Sequence, residues 1–127
     1  MAEPGIEITK LTKRYGTSDH AALSTLSIAV NHGEVYGFLG PNGAGKSTAI
    51  RLLMNFIQPT SGSATILGKD IVSQSVEIKK YIGYLSGDMA VYPKMSGQHF
   101  LDYMHELQPA ASKAYIKDLS KRLKADL

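Results

Sequence analysis

The sequence predicts an α/β fold: an N-terminal antiparallel β-layer, then a strand–loop–helix core, then two more helices. Three observations predict it. Apolar and polar residues alternate in two stretches near the start, a short apolar run enters a glycine-rich loop that opens a helix, and two amphipathic helical patterns follow later.

Residues 5–11 (GIEITKL) alternate as a half-buried strand does. Residues 25–31 repeat the pattern through Leu26, Ile28 and Val30, and Asn31-His32-Gly33 is a turn signal. Val35 to Leu39 is continuously apolar and predicts a strand buried on both faces. Thr48 to Ile57 is apolar on nearly every side, the pattern of a buried core helix, and Pro59-Thr60-Ser61-Gly62 ends it. Ser63 to Leu67 returns to strand alternation, Ser75–Lys80 predicts a short helix and Tyr81–Leu85 a strand. Ser96 can cap a helix carrying Phe100, Tyr103, Met104 and Leu107, and Ser112 can cap the last one. That helix shows no stop signal and Leu127 falls in phase with its apolar stripe, so the sequence reads as one cut inside a domain.

Composition narrows the function classes. The chain has 127 residues, 43% of them hydrophobic and 20% charged, as in a globular domain with a core. Without cysteine it can form neither disulfides nor thiolate metal sites. No apolar stretch reaches membrane-spanning length, and the start MAEPGIEITK lacks a signal-peptide pattern. The net charge of +3 is too small to imply nucleic-acid binding. Residues 113–124 alone carry +4, and Lys113, Lys117 and Lys121 form a helical face opposite Ile116, Leu119 and Leu123, expected to be solvated.

The chemistry lies in Gly40-Pro41-Asn42-Gly43-Ala44-Gly45-Lys46-Ser47, which fits G-x-x-x-x-G-K-[ST] at each fixed position. Phosphate oxygens must be approached by backbone N–H groups, which side chains at Gly43 and Gly45 would obstruct. The following helix presents unpaired amides and the positive end of its dipole. Lys46 can reach the outer phosphates as the catalytic cation, and the Ser47 hydroxyl can join a Mg²⁺ shell. D-x-x-G and N-K-x-D, expected of a GTPase, are absent, and residues 86–112 contain none of the arginines of a kinase lid.

The stretch GPNGAGKST, residues 40–48, resembles the ATP-binding domains of ABC transporters. Lys13-Arg14-Tyr15-Gly16 is similar to the family's loop whose aromatic stacks on adenine. Pro59-Thr60-Ser61-Gly62 with Leu67-Gly68 matches its turn and strand after the P-loop helix. Tyr81 to Leu85, then Tyr92-Pro93 and Ser96-Gly97, resembles its Q-loop and the opening of its helical subdomain. The resemblance implies an ABC-type P-loop NTPase core over residues 1–95 and the start of a helical subdomain over 96–127. It implies ATP and Mg²⁺ as cofactors, with Tyr15 and residues Gly40 to Thr48 (Thr48 included) on the nucleotide. It also implies a transmembrane partner, a second nucleotide-binding domain, and a cytoplasmic place on the inner face of the cell membrane. The expected function is the ATP-binding subunit of an exporter; the alternative is a non-transport ABC-type ATPase or an ATP-binding interaction fragment. No direct nucleic-acid contact is expected.

Two departures stand out. The Q-loop glutamine is replaced by Gly87, followed by Asp88, which becomes the candidate second metal ligand. The family's signature sequence, Walker B carboxylates and switch histidine do not occur in these residues. The intact domain is therefore expected to hydrolyse ATP, and these 127 residues to bind it without turnover.

Overall fold

The first strand is set by the alternation of Ile6 and Ile8. A computed structural model of the chain describes residues 4–17, 20–87, 94–107 and 112–125, in one unit ending at Tyr84 and another starting at Leu85. In the first unit, β1 (Ile6–Arg14), β2 (Ala21–Val30), β3 (Ser61–Ile66) and the two-residue β4 (Lys69–Asp70) form an antiparallel sheet ordered β2-β1-β3-β4. Ile6 faces Val30 on one side and Ile66 on the other, and Ile8 faces Ile28 and Ala64. Both strands outrun the alternation that predicts them, because the ladder continues past a bulge between Ile8 and Leu11.

At that bulge Lys10 and Thr25 adopt positive φ, 49° and 47°, unusual for residues with a side chain. Hydroxyls satisfy amides there: Lys10 N–H donates to Ser27 Oγ at 2.9 Å and Thr25 N–H to Thr12 Oγ1 at 3.0 Å. Gly62, at φ 80°, passes so near that a Cβ on it would lie 2.3 Å from Lys10 O.

One face of the sheet packs on α1 (Lys46–Leu53). Ile8, Leu11, Leu23, Ala49, Leu52, Ala64, Ile66, Ile71 and Ile78 form the core, and Leu11 and Leu52 are fully enclosed. Trimming either leucine to alanine is worth about 2–5 kcal/mol. The helix expected over 48–57 is shorter and less buried: Asn55 turns left-handed at φ 53°, only Ala49 and Leu52 are buried, and Phe56 is exposed. A short α2 (Ser75–Ile78) closes the unit through buried Ile78.

Two expected strands do not form. Val35–Leu39 joins no sheet, with Val35 99% and Leu39 92% exposed; Tyr81–Leu85 is likewise unpaired. Their apolarity suits a strand interior, but no described strand offers them backbone partners, and a strand exists only as part of a ladder. Phe38 and Ile82 alone lean on the core.

The second unit holds α3 (Gly97–Leu107) and α4 (Lys113–Leu123). His99 N–H donates to Ser96 Oγ, and Tyr115 N–H to Ser112 Oγ, capping the two helices. Neither helix buries a residue, and Tyr103, Met104 and Leu107 are exposed, so the apolar stripe read for α3 is not a core face. A stop also exists in α4. Lys124 turns left-handed at φ 53°, and the amides of Lys124 and Ala125 return to Lys121 O and Ser120 O. Leu127 lies outside the described residues.

Candidate functional site

The glycine-rich loop is shaped by two left-handed glycines. Gly43 has φ 85° and Gly45 φ 87°, conformations that side chains rarely adopt. They differ in surroundings. A Cβ on Gly43 would meet nothing within 4 Å, whereas one on Gly45 would lie 2.6 Å from Ala22 O and 3.0 Å from Leu23 Cδ1. The start of β2 thus buttresses the loop, and only a glycine fits between them.

Gly45 is also the N-cap of α1, and no side chain caps it. The amides of Lys46, Ser47 and Thr48 have no carbonyl one turn earlier in the helix to bond, so they and the dipole remain available to an anion. Burial of Ala49 and Leu52 holds the helix in that orientation. Lys46 folds back over the loop, its Nζ donating to Gly40 O and, at 2.7 Å, to Pro41 O. Ala44 N–H donates to Pro41 O at 3.2 Å, closing the intervening turn.

Asn42, Gly43, Gly45, Lys46, Ser47 and Thr48 line an open cavity of about 330 Å³ together with Ala22. Gly40, Pro41 and Ala44 do not line it; they take part in the hydrogen bonds within the loop. Ala22 carries no motif, and no sequence signal marks it, because it acts through a carbonyl oxygen and its position. The donors are cationic and amide in character and no carboxylate shares the lining, so the cavity fits a phosphate chain. The exposed Ser47 hydroxyl is the group it offers a metal ion. Among the described residues no three His, Cys, Asp or Glu side chains converge as a metal-binding cluster, and Asp88 lies outside those residues.

Tyr15 stands apart from this cavity, at the end of β1 and 48% exposed. Lys13 Nζ sits over its ring, 5.2 Å from the centroid, and donates to Gln58 O at 2.6 Å. Arg14 N–H donates to Thr60 Oγ1 at 3.0 Å. These bonds pin the end of β1 to residues 58–60, with one ring face under the lysine. Of the histidines, His20, His32 and His99 are exposed, and His105 is half-buried in the second unit.

The family model for ABC transporters matches residues 23–126. A probable multidrug ABC transporter ATP-binding protein of Escherichia coli is 33% identical over 97% of this chain and 21% of its own length. The ABC transporter ATP-binding protein NatA of Bacillus subtilis is 36% identical over 92% of this chain and 50% of its own. A daunorubicin resistance ATP-binding protein of Streptomyces coeruleorubidus is 34% identical, over 96% and 39%. Among solved structures, a bacterial Atm1-family ABC exporter with ATP bound superposes with TM-score 0.76 at 27% identity, over 94% of this chain and 20% of that one. The chain thus spans a fifth to a half of the length of these curated relatives.

Proposed function

Because the chain belongs to the ABC transporter family, we propose that it is the ATP-binding part of a membrane transporter that exports its substrate. The observation that carries this is the cradle between β2 and α1, where Gly45 is locked under Ala22 O beside the free amides of Lys46, Ser47 and Thr48. Those amides and Lys46 Nζ hold the phosphates, with Asn42 and Gly43 along the chain and Tyr15 stacking on the base. Lys46 is the residue that stabilises charge on the outer phosphates. Mg²⁺, when bound, neutralises phosphate charge, and Ser47 and Asp88 are its ligands in this reading. The export direction rests on the relatives named for multidrug transport and daunorubicin resistance and on the exporter structure. A transmembrane subunit and a second nucleotide-binding domain are the partners, at the inner face of the cell membrane; residues 1–95 form the core part and 96–127 the helical part.

These 127 residues bind ATP without turning it over. No carboxylate in the cavity orients a water, and a missing general base commonly costs on the order of 10²–10⁴ in rate. Calorimetry of the chain with ATP and ADP, beside phosphate-release assays, tests both statements. Lys46→Ala is expected to weaken ATP by about 10- to 100-fold, the value of a charge-assisted bond, and ADP less. Equal ATP affinity for the two proteins refutes the cradle. Steady phosphate release that Lys46→Ala abolishes refutes the absence of turnover.

A further inference from the structure

The helix pair α3–α4 presents two unlike flanks. Leu101, Ile116, Ser120 and Ala125 line both and form a thin septum between them. One flank is apolar, carrying Phe100, Tyr115, Leu119 and Leu123. The other is a groove of about 510 Å³ edged by Lys113, Lys117, Lys121 and Lys124, with Gln98, Asp102 and His105 on the α3 side. Lys113, Lys117 and Lys121 are exposed, as the sequence leads one to expect, but Ile116 lines the lysine groove as well as the apolar flank instead of lying wholly opposite.

We propose that this groove docks an acidic, amphipathic helix of a partner protein. Four features lead there. First, Lys113, Lys117 and Lys121 stand at i, i+4 and i+8, a row spanning about 12 Å of α4 with Lys124 at its cap, and acidic residues at one-turn intervals on an opposing helix match that spacing. Second, none of the four makes an ion pair among the described residues; the one pair on α4, Arg122 with Asp118 at 4.0 Å, lies outside the groove. Third, Asp102 is the only carboxylate in the lining, and it stands against four lysines, so the groove is positively charged. Fourth, His105 Nδ1 is buried without a hydrogen-bond partner, a polar atom that an incoming side chain can satisfy.

The floor decides between a protein and a nucleic acid. Leu101, Ile116 and Ala125 make it apolar, which suits leucine-like side chains and offers nothing to a phosphate backbone. Since neither α3 nor α4 buries a residue, a third helix also supplies the enclosed core that the pair lacks.

The test uses the full chain and a synthetic helical peptide of about 14 residues, long enough to span the lysine row, with Glu on one face and Leu on the other. Fluorescence anisotropy is expected to show binding that weakens about tenfold between low and roughly 0.3 M salt. The double variant Lys117→Glu/Lys121→Glu should weaken it by tenfold or more on the order expected for reversed charges, and Lys117→Gln/Lys121→Gln by less. Arg122→Glu makes the same charge change outside the groove and should stay within about twofold of the parent. Circular dichroism checks that each variant keeps its helices. Failure of the peptide to bind, equal binding of a Gln-for-Glu peptide, or equal weakening by Arg122→Glu overturns the proposal. Tighter binding of a short single-stranded RNA than of the peptide overturns it too.

Discussion

Replacing Gly45 by alanine adds one carbon where the P-loop leans on β2. Two costs follow from the geometry. A residue with a side chain at φ 87° loses about 1–2 kcal/mol to left-handed strain. The new Cβ would also stand 2.6 Å from Ala22 O, where a carbon and a carbonyl oxygen settle at about 3.3 Å or more, so loop and strand must separate by roughly 0.7 Å. Overpacking of that kind costs about 1–3 kcal/mol. Gly43→Ala is the matched control: it bears the same strain at φ 85° but meets nothing within 4 Å. We therefore predict that Gly45→Ala is less stable than Gly43→Ala by about 1–3 kcal/mol, read by urea denaturation without nucleotide. ATP affinity should also fall more in Gly45→Ala, by about tenfold or more, since the shift separates the amides of Lys46–Thr48 from Gly43. Equal stability of the two variants would refute the buttressing by β2. Unchanged ATP affinity in Gly45→Ala would refute the claim that this contact sets the cradle.

Two further expectations concern the first unit. Asp70 accepts from Val72 N–H, Ser73 N–H and the Ser73 hydroxyl, and the Ser73 bonds hold its carboxyl below its ordinary value. A depressed carboxyl stabilises the fold above its unfolded value and loses that contribution as pH falls through the folded one. Asn at position 70 should thus cost no more than about 1 kcal/mol at neutral pH, a difference that vanishes on acidification below about pH 4 in pH-dependent denaturation. Tyr15→Ala should weaken ATP by about 1–3 kcal/mol of stacking while Tyr15→Phe keeps it; equal binding by Tyr15→Ala removes Tyr15 from the site.

The sheet and the loop were legible in the sequence for different reasons. Ile6, Ile8, Leu26, Ile28 and Val30 alternate because one sheet face is buried, and the loop announces itself by residue type. Val35–Leu39 was legible only as a preference for burial: hydrophobicity records what surrounds a strand best, whereas a ladder needs a second backbone. The bulge at Lys10 and Thr25 left no mark, since neither is the glycine that positive φ normally selects, and β4 is too short to show a period. Ala22 was invisible because any residue supplies a carbonyl. The place of Lys113, Lys117 and Lys121 depended on a second helix, which a helical wheel of α4 alone does not contain.

The unpaired run from Val35 to Leu39 has a kinetic consequence for the loop that follows it. Its backbone makes no hydrogen bond among the described residues, while α1 behind the loop is bonded turn by turn and packed through Ala49 and Leu52. Amide protons of residues 35–39 are therefore expected to exchange with solvent at nearly free-chain rates, and those from Ala49 to Leu53 to wait for the core to open. Across ten residues the chain passes from a fast-exchanging stretch to a slow one, with the phosphate cradle at the crossing. Lys46, bonded back to Gly40 and Pro41, bridges the two regimes.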